Sequence, residues 1–96
     1  MAEILLSAKA RSDLKTIYNY IADRSSEGQA SKFLKTLERS MQQLGRSPGI
    51  GTRRDYLAPD LLGFPEGNYI IFYQAIDKGI RIIRVLHGRR DIENLF

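Results

Sequence analysis

The chain has 96 residues, 43% hydrophobic and 27% charged, with no low-complexity tract, which predicts one globular domain over 1–96 rather than a disordered segment. Its 15 Lys+Arg against 11 Asp+Glu give a net charge of +4 and a pI near 9.6, a balance that admits acidic-protein or nucleic-acid partners without selecting one. Zero cysteines exclude a disulfide framework, a thiolate metal site and a cysteine nucleophile, and a single histidine, His87, excludes a His-His pair and Cys/His zinc spacing, so no metal and no cofactor is expected. The N-terminal stretch MAEILLSAKAR is too brief an apolar run for a signal-peptide core or a membrane span, so the expected setting is the cytoplasm.

In chain order, Glu3–Leu6 is a short apolar run that predicts a first strand, and Ser7 after it is suited to cap a helix. From Ala8 to about Arg24, Ala10, Leu14, Ile17, Tyr18 and Ile21 keep the spacing of one helical face. Tyr18 and Tyr20 are read as core or hairpin contacts rather than as catalytic phenols, since aromatics at helical spacing usually pack. Ser25-Ser26-Glu27-Gly28 breaks the pattern, and Ser26 followed three residues later by Gln29 opens a second helix. Its apolar face is Ala30, Phe33, Leu34, Leu37, Met41 and Leu44, and Gly45 with Pro48 supplies the stop. Helices joined by so short a link fold back on one another, and their apolar stripes need a sheet to cover.

Residues 46–59 show no periodicity and read as an ordered loop carrying Pro48, Arg53, Arg54, Tyr56 and Pro59. Leu61–Phe64 predicts a short strand, Pro65-Glu66-Gly67-Asn68 a turn, and Tyr69–Ile76 a strand apolar on both faces, hence central. Ile80–His87 follows across Asp77-Lys78-Gly79, whose glycine is expected to supply a positive φ. Strict alternation along this last strand leaves neither face clean, which predicts a β-bulge or an arginine on an otherwise apolar face. The alternative is that Arg84 lays its methylenes on the sheet and reaches solvent at the edge. Lys78, Arg81, Arg84, Arg89 and Arg90 give this segment five cations and no acid between 78 and 90, making it the first place to look for a binding surface. Asp91 can cap a short terminal turn in which Ile92, Leu95 and Phe96 share one side.

The familiar catalytic patterns are missing. No HExxH helix, phosphate-cradling glycine loop or nucleophile elbow occurs. Metal-free RNA cleavage needs a base, an acid and a cationic clamp, and His87, Tyr56 and the arginines are the residues from which such a set would be drawn.

The order strand, helix, helix, strand, strand, strand, short tail resembles the RelE/ParE superfamily of bacterial toxins. FPEGNYIIFYQ (Phe64–Gln74) and IIRVLHGRRDIENLF (Ile82–Phe96) look like signatures of its ParE branch, and DLKTIYNYI (Asp13–Ile21) and RRDYLAPDLLGFP (Arg53–Pro65) support the likeness. The resemblance implies an α+β fold, β-α-α-β-β-β, with a helical hairpin on a small, mainly antiparallel sheet. It also implies a type II toxin that poisons DNA gyrase without catalysing a reaction, meets DNA only indirectly, and forms a hetero-oligomer with a ParD-like antitoxin. The binding surface expected on this reading comprises Arg53, Arg54, Arg81, Arg84, His87, Arg89, Arg90, Leu95 and Phe96, with no catalytic residue. Arg81 and Arg84 are expected as rim charges, and Ile92–Phe96 as a contact tail. The alternative implied by the sister RelE branch is a ribosome-dependent mRNA endoribonuclease, with His87, Arg53, Arg54, Arg81 and Arg84 around a phosphate.

Overall fold

A computed structural model describes residues 2–96. Strand β1 (Glu3–Leu6) leads into helix α1 (Ala8–Arg24) and helix α2 (Glu27–Arg46). Strands β2 (Thr52–Arg53), β3 (Leu62–Glu66), β4 (Tyr69–Ile76) and β5 (Gly79–His87) follow, and a 3-10 turn over Ile92–Leu95 ends the chain. The sheet order is β1-β5-β4-β3-β2, with β1 parallel to β5 and every other pairing antiparallel. The architecture is the α+β arrangement expected, with one strand more. That strand, β2, lies inside the segment read as loop, and two residues are too few to show a period. No helix is long and apolar enough to cross a membrane among the described residues.

Both helix starts follow the sequence. Ser7 Oγ accepts from Ala10 N–H at 2.9 Å, and Ser26 Oγ accepts from Gln29 N–H at 3.1 Å, so each caps one otherwise orphaned donor. Helix α2 continues through the predicted stop at Gly45 to Arg46, because Gly45 is buried in the last turn against β1. The apolar stripes of the helices, chiefly Ala10, Ile17, Leu37, Met41 and Leu44, meet Ile71, Tyr73, Ile80, Ile82 and Val85 from the sheet to form the main core. On the opposite face Leu61, Phe72 and Leu86 form a second cluster, covered by Leu57, Ile92 and Leu95. Central β4 therefore buries side chains both ways, which accounts for its two apolar faces.

Two turns depart from expectation. Gly67 has φ of 59° and closes β3 onto β4 with Asn68, so Pro65 and Glu66 stay in the strand, paired with Ile70 and Tyr69. Pro65 is tolerated because β2 pairs only with Leu62 and Gly63, leaving no ladder bond for it to donate. Gly79, by contrast, has no positive φ; it is the first residue of β5, opposite Ile76 and Glu3. A Cβ there would overlap the Glu3 carbonyl oxygen and stand 2.7 Å from Glu3 N. The glycine is needed for strand-to-strand approach, not for the turn.

The segment before β2 is tied down by one phenol. Tyr73 Oη donates to Pro48 O at 2.7 Å and accepts from Gly51 N–H at 2.9 Å, while its ring is fully buried in the core. Burial raises the phenol's pKa above its ordinary 10.0, outweighing the Gly51 bond, which lowers it. The folded state thus favours the neutral form. Its contribution is complete below pH 10.0 and is lost as pH rises through the raised value. Tyr73→Phe leaves two backbone groups without their partner, so it should lower stability by about 1–3 kcal/mol in urea unfolding and flatten the loss of stability at alkaline pH.

Candidate functional site

The ambiguity along the last strand is resolved by a bulge. Phe72 pairs with Arg84 and Tyr73 with Ile82, so Ile83 is an extra residue on β5. Ile80, Ile82 and Val85 can then all face the helices while Leu86 faces the second cluster. The same register sets Arg84 beside Phe72 on the helix-free face, from which its guanidinium turns around the sheet edge to α1. Its Nε and Nη2 donate to the two oxygens of Asp13, each at 2.8 Å, and Nη1 donates to the Leu95 carbonyl at 3.4 Å. Asp13 also accepts from Val85 N–H at 2.9 Å. The two side chains are only 13% and 12% exposed, and the bond to Asp13 raises the Arg84 pKa further.

Arg84 is therefore not a rim charge. It joins α1, the bulge and the terminal turn through a bidentate pair, and it does not run to solvent along the sheet. Arg84→Ala leaves the Asp13 carboxylate partly buried without its counter-ion, so the expected result is a loss of about 3 kcal/mol in chemical denaturation. Arg81→Ala, on an exposed side chain, should leave stability within about 0.5 kcal/mol.

The other predicted site residues are divided between the faces. Arg81 pairs with Gln74 and Leu5 on the helix-free side. Arg54 shares a hollow of about 350 Å³ on that side with Tyr56, Phe72, Arg90 and Glu93. Arg53 stands on the short edge strand, exposed and held by Asp55, with Nε–Oδ2 2.8 Å and Nη2–Oδ1 3.0 Å. The hydrogen bond to Asp55 raises the Arg53 pKa, and in turn the bond from Arg53 lowers that of Asp55. The tie persists above the ordinary carboxylate range and is lost as pH falls through the lowered Asp55 value.

His87 lies on the helix side, its ring edge-on to Tyr69 at 5.2 Å, and its Nδ1 accepts from Arg89 N–H at 3.1 Å. That bond leaves Nε2 as the nitrogen carrying the proton in the neutral ring. Arg89 and Arg90 sit in the exposed turn after β5, and Arg90 borders hollows on both faces. Leu95 packs into the second cluster, and Phe96, 36% exposed, meets Phe72 edge-on at 5.1 Å. The tail expected as a contact surface thus covers the sheet. Asp91 precedes the terminal turn, yet its side chain bonds Asn94 Nδ2 and caps no backbone donor.

The constellation imagined for a ribonuclease is not assembled. His87 faces the helices, Arg54 and Arg81 face the opposite side, Arg84 is committed to Asp13, and Arg53 to Asp55. What the fold does present is a cationic end of the sheet, with His87, Arg89 and Arg90 around the turn that leaves β5 and Arg54 behind it. Sequence reasoning missed Asp13 and Phe33 around this end, because each sits within an ordinary helical pattern, and it read Tyr20 as a packing residue, whereas the ring is 45% exposed.

A two-helix layer on one face of a bulged five-stranded sheet, with a cluster of arginines at the end of β5, defines a small α+β domain. A solved structure described as the chromosomal ParDE TA system from P. aeruginosa shares this fold, with a TM-score of 0.77 at 19% identity, over 91% of this chain and 96% of that one. Toxin ParE1 of Mycobacterium tuberculosis is 31% identical over 90 residues, covering 93% of this chain and 92% of the relative. Toxin ParE1 of Caulobacter vibrioides is 29% identical over 82 residues, covering 85% and 84%. The family profile described as "ParE toxin of type II toxin-antitoxin system, parDE" matches residues 4–92. The chain belongs to the ParE toxin family.

Proposed function

We propose that this ParE-type toxin arrests growth by inhibiting DNA gyrase in the cytoplasm, holding the enzyme on cleaved DNA, and that a ParD-like antitoxin neutralises it in a hetero-oligomer. The toxin itself breaks no bond and contacts DNA only through gyrase or the antitoxin. The observation that carries this reading is the match to the ParE toxin family over residues 4–92, from the first strand to the start of the terminal turn. The scatter of His87, Arg54 and Arg81 over opposite faces supports it, since general acid–base chemistry requires its groups within hydrogen-bond reach of one substrate.

The surface proposed for the target is His87 with Arg89, Arg90 and Arg54, three arginines near the end of β5 that no carboxylate holds among the described residues. Arg81, also free of an ion pair, stands apart near the β1 edge and is a lesser contributor. The test is to incubate the purified toxin with gyrase, relaxed plasmid and ATP, and in parallel with translating ribosomes and mRNA. Loss of supercoiling with accumulation of linear DNA is the expected result. Codon-phased cuts in mRNA with supercoiling unaffected would replace this reading with the ribonuclease. The hollow where Arg54, Tyr56 and Arg90 converge is the place such chemistry would use.

A further inference from the structure

Strand β1 pairs only with the first four residues of β5, Gly79–Ile82, and the edge beyond them is filled one group at a time. Ser7 N–H donates to Ile82 O at 3.0 Å, Ser7 Oγ donates to Ile83 O at 2.7 Å, and Asp13 accepts from Val85 N–H at 2.9 Å. The antiparallel ladder to β4 is phased by the Ile70–Leu86 pairing and by the Gly88 N–H bond to Asn68 O. Val85 and His87 consequently turn their peptide groups away from β4. The Val85 N–H is taken by Asp13, and the His87 carbonyl accepts from Arg90 N–H at 3.1 Å. Two groups are left, the Val85 carbonyl and the His87 N–H, and neither has a partner among the described residues.

Both border a hollow of about 340 Å³ between α1 and the end of β5, walled by Ile17, Tyr20 and Tyr69. A second hollow of about 390 Å³ shares Tyr20, Tyr69 and His87 with it and runs on to Arg24 and Phe33. Tyr20 is 45% exposed with the Arg24 guanidinium 4.6 Å above its ring. Among the residues lining the two hollows, Asp13 is the one carboxylate, and Arg84 already neutralises it, whereas Arg24 and Arg90 form no ion pair among the described residues. The cleft is apolar at its floor and cationic at both ends.

We infer that this edge receives an extended segment of the ParD-like antitoxin as a short strand parallel to β5, in line with β1. The inference rests on the antitoxin partnership proposed above and adds where and in which direction the segment lies. The remaining backbone groups select the direction. A single residue of a parallel strand donates to one carbonyl and accepts from the N–H two residues on, which is the Val85 and His87 pair. An antiparallel strand would need the Val85 N–H or the His87 carbonyl, which Asp13 and Arg90 occupy. The neighbouring side chain enters the hollow as an apolar residue against Ile17 and Tyr69, and acidic residues on either side meet Arg24 and Arg90.

The test uses the complex of this toxin with the antitoxin encoded beside it. Hydrogen exchange at the His87 amide should slow by about tenfold or more on binding. Tyr20→Ala and Arg90→Glu should each weaken binding by about tenfold or more, the latter with a marked salt dependence. A complex that forms with His87 exchange unchanged and with both variants binding as tightly as the parent would overturn the strand site and leave the partnership standing. Absence of any complex would remove both. Exchange is read on the unaltered chain, so the outcome does not depend on how the variants fold.

Discussion

A chain ending at Asp91 should lose about 3–5 kcal/mol of folding stability, from the lost burial of Ile92, Leu95 and Phe96 and the newly exposed rims of Leu61, Phe72 and Leu86. The terminal turn is the cover of the second cluster, and the Leu95 carbonyl is also one of the three acceptors around Arg84. For a domain whose total stability is of the order of 5–15 kcal/mol, that loss is a large fraction, and melting should fall by roughly 15 °C or more. Thermal unfolding of the truncated chain beside the full one measures it. Loss of growth arrest in such a variant therefore reports on folding first. Should the melting temperature stay unchanged while growth arrest vanishes, the tail would instead be a contact with the target.

The second large effect is expected at Gly79. Gly79→Ala places a methyl group into the Glu3 backbone, and backbone cannot rotate aside as a flexible side chain can. The expected outcome is detachment of β1 or a shift of the whole strand, at a loss of about 3 kcal/mol. Hydrogen exchange should show faster exchange at Glu3, whose N–H bonds the Lys78 carbonyl at 2.9 Å, and at Ser7, with β4 still protected. Unchanged protection at both amides would mean that β1 does not depend on the missing side chain.

Much of this fold is legible in the sequence because its elements announce themselves locally. Ser7 and Ser26 each stand immediately before a helical period, and Tyr69–Ile76 is apolar on both faces as a central strand must be. The unresolved alternation at Arg84 also carried information, since it marked the bulge that places Ile83 out of register. Long-range pairing was not legible. Nothing near Asp13 distinguishes it from a solvent-facing helical acid, and only the fold brings it to Arg84, 71 positions away. Gly79 was recognised as special for a reason that belongs to turns, whereas its role is set by a strand 76 residues earlier. For the candidate site, the run of cations was visible but their directions were not. A bulge and one carboxylate decide that Arg84 faces inward while His87 and Arg90 remain at the surface.

The parallel pairing of β1 with β5 makes the order of synthesis matter. Ser7 bonds Ile83 across a separation of 76 residues, so β1 waits for β5, a strand made much later. While the chain is still emerging from the ribosome the helical hairpin can form, but the sheet beneath it cannot close. The apolar stripes of the hairpin thereby stay uncovered until β5 has been made, and that is the interval in which they are open to other proteins.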